Sequence, residues 1–184
     1  MKDKIIIREM LEGDPLVIAA AFTTQGWNKP LGQYLRYWQE SLQGLRLVLL
    51  AEYAGEFAGY LTVVWESDYP PFRQAGIPEI VEFNVLLKFR RRKIGTALME
   101  AAEQRIALCS PVAGIGVCLH SDYGAAQVLY ARRGYVPDGR GVHYHGHYPQ
   151  YGEQVQIADA LVLHLTRQLP RSPTSPDVGL SRKP

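Results

Sequence analysis

Apolar positions alternate between short β-branched runs and longer helical stripes along most of the chain. Ile5-Ile6-Ile7 is a compact triplet that predicts a first strand. Residues 14–24 and 31–43 read as helices, parted by a loop holding Gly26, Asn28 and Pro30. In the second, Leu31, Tyr34, Leu35, Trp38 and Leu42 recur at helical spacing. Leu45 to Tyr53 and Phe57 to Trp65 flank Ala54-Gly55-Glu56, the pattern of a hairpin. Residues 66–78, with Pro70, Pro71, Gly76 and Pro78, are expected to form a loop.

Ile80 to Leu87 predicts another strand, which runs into Lys88-Phe89-Arg90-Arg91-Arg92-Lys93. Beyond it, Ile94, Ala97, Leu98, Ala101 and Leu108 share one face of a helix from 94 to about 109. Glu100, Glu103 and Gln104 lie away from that face. Ile115 to Leu119 is a short apolar strand, and strand, helix, strand in that order demand a right-handed crossover with a parallel pair. Ser121-Asp122 is expected to cap a helix over Tyr123–Arg133, which Gly134 ends. Tyr135-Val136 opens another strand, and Ala160 to Leu165 closes the sheet. The expected class is α/β to α+β, a mixed sheet with helices on both faces. Residues 1–169 read as one domain. Residues 170–184, with four prolines and three serines, read as a disordered tail.

Composition changes this picture little, but the placement of charge changes it a great deal. Apolar residues at 47% and charged residues at 21% describe an ordinary globular chain. Twenty basic against 18 acidic residues leave +2, which argues against a nucleic-acid partner. The positive charge gathers at 88–93, where five cations fill six positions at the mouth of a helix. A helix start offers unpaired N–H groups and the positive end of a dipole, so a polyphosphate is the ligand expected there. Gly95, lacking a Cβ, would let such a ligand approach the backbone. Cys109 and Cys118 read as reduced core residues rather than a disulfide. The start lacks the apolar core of a signal peptide, and no run of 18 apolar residues occurs. A cytoplasmic protein without membrane contact is the expectation.

Arg90-Arg91-Arg92-Lys93-Ile94-Gly95 between strand and helix resembles the R/Q-x-x-G-x-G/A motif of the GNAT superfamily of acyl-CoA-dependent N-acyltransferases. Leu129-Tyr130 followed by Gly134-Tyr135 is similar to that family's second signature, in the same order and separation. The likeness in element order covers roughly residues 5–168. Two positions depart: Lys93 replaces the family's first glycine, and Tyr123 stands where an asparagine is common, with Gln127 as a candidate substitute. The resemblance implies a mostly antiparallel sheet, acetyl-CoA as co-substrate without a metal, and acetyl transfer to a primary amine by direct attack. It implies that Arg90, Arg91, Arg92, Lys93, Ile94, Gly95, Thr96 and Ala97 bind the cofactor, with Arg91 through Thr96 holding its pyrophosphate. Val85, Leu86 and Leu87 would offer main-chain groups to the pantetheine arm.

That reaction needs a base for an amine of pKa ~10.4 and an acid for a thiolate of pKa ~8.5. The resemblance implies Tyr130 as the acid. Glu82 and then Glu79 are candidates for the base, although plain alternation puts them on opposite faces unless the strand is bulged. His143-Tyr144-His145-Gly146-His147-Tyr148 has alternating histidines but no accompanying carboxylate or cysteine at ligand spacing, so it is expected to line an acceptor pocket rather than bind metal. Trp27, Trp38, Trp65, Tyr69 and Phe72 are candidate aromatic walls. Loops 66–78 and 137–155 are long enough to close over a small acceptor. Protein acetylation and a non-catalytic coenzyme A-binding module are the alternatives, and a homodimer is left open.

Overall fold

A computed structural model describes residues 4–170; the expected tail beyond Pro170 lies outside the described residues. Strand β1 (Ile5–Glu9) leads to helices α1 (Asp14–Thr24) and α2 (Leu31–Leu42). Strands β2 (Arg46–Tyr53) and β3 (Glu56–Val64) form the expected hairpin. Its two-residue turn, Ala54-Gly55, has positive φ at both positions, which matches the twist of the flanking strands. Within the expected loop, Pro70–Ala75 forms a short helix, α3, because Pro70 and Pro71 preset its first turn and Gly76 closes it at φ +63°. Then follow β4 (Glu79–Val85), α4 (Ile94–Ile106), β5 (Val112–Cys118), α5 (Gly124–Arg132), β6 (Val136–Tyr144) and β7 (Leu161–Gln168).

The sheet order is β1-β2-β3-β4-β5-β7-β6, and only β4 and β5 are parallel. Alternation along β2 separates its two faces. Leu49 looks towards Ala97 and Ala101 of α4, whereas Arg46 pairs with Glu40 of α2. Helices α1 and α2 thus cover one face, and α4 covers the other. On the first face Phe22, Tyr34 and Tyr60 join α1, α2 and β3 through ring contacts between 5.6 and 6.4 Å. Among the described residues no helix is long and apolar enough to cross a membrane.

Four expectations are corrected. Glu103 is buried, not outward-facing, because α5 and β7 cover that side of α4 and bring Arg133 and Arg167 to its carboxylate. Cys109 is exposed and Cys118 half-buried, since α4 ends at Ile106 and Cys118 sits at the open end of β5; both are free thiols. Leu108 is likewise exposed just past that helix end. The α5 start also differs: a 3-10 turn at Ser121–Tyr123 precedes it, held by His120 accepting from the Asp122 N–H.

On the α1–α2 face, β5 carries two glycines because neighbours stand where side chains would go. A Cβ on Gly114 would lie 2.4 Å from the Phe72 ring, and one on Gly116 would lie 2.8 Å from Val162. Gly114→Ala is expected to lower stability by about 1–3 kcal/mol through overpacking against Phe72, measured by denaturant unfolding.

Candidate active site

The site begins where β4 leaves β5. These strands pair only at Glu79–Gly114 and Ile80–Ile115, while β5 stays paired with β7 as far as Cys118. From Val81 onward the outer edge of β4 is open. On its other edge, β3 pairs Thr62 with Val81 and Tyr60 with Asn84, so two residues of β4 face one of β3. Glu82, at φ +54°, is in this bulge. The bulge overturns plain alternation. Glu79 shares the Val81 face, and Glu82 reaches Tyr60 and Gln33 on that same α1–α2 side.

The main chain of β4 then divides between its two edges. The Leu86 N–H donates to Ala58 O, and the Leu87 N–H donates to Gln25 Oε1. Alternation turns the N–H and carbonyl of Val85 towards the open edge. Of Val85, Leu86 and Leu87, only Val85 therefore keeps its N–H for a ligand.

The chain next passes through the basic turn. Arg91 and Lys93 both take positive φ, +65° and +63°, which curls the backbone just before α4. This explains the family's glycine at position 93: the position requires a left-handed conformation that Lys93 adopts at a steric cost. No side chain caps α4, and its first intrahelical bond runs from the Ala97 N–H to Lys93 O. The N–H groups of Ile94, Gly95 and Thr96 stand free at the helix mouth. Gly95 also makes room for Phe83, since a Cβ there would lie 3.0 Å from that ring. Three of the five cations are tethered: Lys88 to Glu56, Arg90 over Trp27 at 5.8 Å, and Arg92 on Tyr53, whose hydroxyl is 3.0 Å away. The Arg91 and Lys93 side chains are exposed and make no hydrogen bond or ion pair among the described residues.

Tyr130 of α5 is buried with its ring 6.4 Å from Phe83 and 6.1 Å from Tyr135. Burial and the nearby Cys118 push its hydroxyl well above the usual phenol range, so it stays protonated. It makes no hydrogen bond among the described residues. Gln127 donates to Cys118 O at 3.0 Å and so fixes α5 to β5. Tyr123, in the asparagine's place, bonds Asp159 Oδ1 at 3.0 Å.

The two glutamates occupy different surroundings. Glu82 is half-exposed, with Gln33 Nε2 at 3.2 Å, Tyr60 Oη at 3.4 Å and Lys29 Nζ at 3.7 Å. Glu79 is buried, takes a hydrogen bond from Ser67, and lies 3.9 Å from His164 Nε2. Desolvation raises its pKa, and burial lowers that of His164 to about 4. Tyr69 stacks on His164 at 3.5 Å and bonds both Asp138 and Tyr148, tying the β3–β4 connection to β6 and the β6–β7 loop.

The expected aromatic wall is therefore split. Tyr69 and Phe72 stand beside His164, whereas Trp38 and Trp65 line a separate cavity with Met10 and Val48. His143 joins the Tyr69–His164 stack, His147 pairs with Glu153, and His145 sits in a tight turn, so the histidines diverge. No group of three metal-ligating side chains converges among the described residues. His164, Ser67, Gln33 and Lys29 gave no signal in the linear pattern; each enters the site from a remote element.

A family model for the acetyltransferase (GNAT) domain matches residues 18–147, and the chain belongs to this family. It is an acyltransferase by that membership. No curated protein matches at the sequence level. Solved structures share the fold. An N-acetyltransferase from Staphylococcus aureus superposes with a TM-score of 0.67 at 14% identity, covering 91% of this chain and 99% of its own. A protein assigned as an acetyltransferase from Salmonella typhimurium, solved with its cofactor acetyl-CoA, gives 0.65 at 19% identity, covering 95% and 98%. The ribosomal-protein-S18-alanine N-acetyltransferase of Escherichia coli gives 0.62 at 15% identity, covering 95% and 99%.

Lys93→Gly is expected to raise stability by about 1 kcal/mol by relieving the left-handed strain, read from the unfolding midpoint.

Proposed function

We propose that the protein transfers the acetyl group of acetyl-CoA to a primary amine of a small molecule, by direct attack in a ternary complex. One observation carries this reading: the open edge of β4 leads from Glu82, past Val85, to the uncapped mouth of α4. The free N–H groups of Ile94, Gly95 and Thr96 suit the oxygens of a diphosphate, and Arg91 and Lys93 have charge to spare for it. Arg90, Arg92 and Ala97 frame that turn. The main-chain groups of Val85 suit an amide-bearing arm, which would add to β4 as a short strand.

Glu82 is the better placed base. It is half-exposed and can take a proton from an incoming ammonium, whereas Glu79 is held by Ser67 beneath the surface. Tyr130 is a protonated phenol with no competing acceptor, so it can hydrogen-bond a departing thiolate and give it a proton. Tyr69, Asp138 and Tyr148 tie the β3–β4 connection to β6 and the β6–β7 loop, which favours a small acceptor. Likeness to the Escherichia coli enzyme supports the second reading, acetylation of a protein terminus. Turnover of peptides but not of small amines would establish it, and coenzyme A binding without any turnover would mark a non-catalytic module.

Tyr130→Phe and Glu82→Gln are each expected to lower kcat by about a hundredfold or more, measured as thiol release with an amine panel. Glu79→Gln is expected to have the smaller effect. Reversing charge at both Arg92 and Lys93 is expected to weaken coenzyme A binding by about tenfold or more in calorimetry. Unchanged affinity would overturn the placement of the diphosphate.

A further inference from the structure

We infer that Lys29 is a self-acetylation site. This rests on the reading of Glu82 and acetyl-CoA given above. Lys29 lies in the short connection between α1 and α2, where its N–H bonds Trp27 O at 3.0 Å. Its Nζ is 3.7 Å from Glu82 Oε2, and its side chain is only 26% exposed. The other polar neighbours of that carboxylate, Gln33 and Tyr60, are neutral. Among the described residues, Lys29 is thus the one cation paired with Glu82, and it is a primary amine. The chain's own lysine presents the proposed base with the functional group that an acceptor would bring.

The other described lysines are placed differently. Lys88 pairs with Glu56, and Lys93 sits at the N-terminal end of α4 with an exposed side chain. Lys4 lies beside the Ala54 turn, where its carbonyl accepts from the Ala54 N–H.

The chemistry balances without a further reactant. The Lys29 ammonium gives one proton to Glu82, and the neutral nitrogen attacks the thioester carbonyl carbon. The C–N bond forms as the C–S bond breaks. Tyr130 hands its proton to the thiolate and recovers one from the new amide nitrogen. The products are Nε-acetyl-Lys29 and free coenzyme A, and the proton on Glu82 passes to solvent. The modified side chain is uncharged, so Glu82 is left open to an external ammonium.

The test is to incubate the full chain with acetyl-CoA and no added amine, then follow intact mass and map acetylated peptides. A single acetyl on Lys29 is expected, formed at a rate independent of protein concentration. Tyr130→Phe should slow it by about tenfold or more, and Lys29→Arg should leave the chain unacetylated. Acetyl groups scattered over Lys4, Lys88 and Lys93 at a rate unchanged by Tyr130→Phe would overturn the inference as simple chemical acetylation. An unmodified Lys29 in protein that acetylates soluble amines would overturn it while leaving the proposed function intact. Absence of both coenzyme A binding and amine turnover would bring down the two together.

Discussion

The parting of β4 from β5 is the constraint on which the rest of the site depends. Two paired positions hold these strands together, after which β5 follows β7 and β4 follows β3. A strand edge left open in this way carries main-chain groups that must find water or a ligand. The bulge at Glu82 adds a second consequence. It gives β4 one extra residue, so Glu79 and Glu82 reach the same side of the sheet. The open edge thus comes from the parting of β4 and β5, and the shared face of the two carboxylates from the bulge.

Charge is divided along that edge. At the α4 end, uncapped N–H groups and untethered Arg91 and Lys93 make a positive pole suited to phosphate oxygens. At the bulge, Glu82 makes a negative pole suited to an ammonium, and Lys29 already stands beside it. Between them Phe83 fills the space over Gly95 and carries Tyr130 on its flank. The distance between the two poles is set by this stretch of strand.

Buried polar contacts hold the surrounding elements in register. Glu103 gathers Arg133 from α5 and Arg167 from β7, so removal of either arginine would leave a buried carboxylate short of charge. On the opposite face, Ser67, Glu79, His164, Tyr69 and Asp138 connect β4, β6 and β7 through hydrogen bonds and ring stacking. The glycines of β5 make room for this layer.

Sequence by itself determined most of the elements and marked the basic turn that enters α4. Periodicity placed nearly every helix and strand, because local hydrophobic spacing reports local structure. The run Arg90–Gly95 marked the helix mouth, because its N–H groups and cations are contiguous in the chain. Short-range pattern missed α3, whose prolines also signal a loop, and it turned Glu103 outward, since its partners arrive from α5 and β7. Only the tertiary structure decided which polar groups meet around Glu82 and Glu79. Lys29, Gln33, Tyr60, Glu82 and His164 come from five separate segments, and their meeting depends on strand register and one bulge. A linear pattern carries no record of such distances, because register is settled by packing between elements rather than within them.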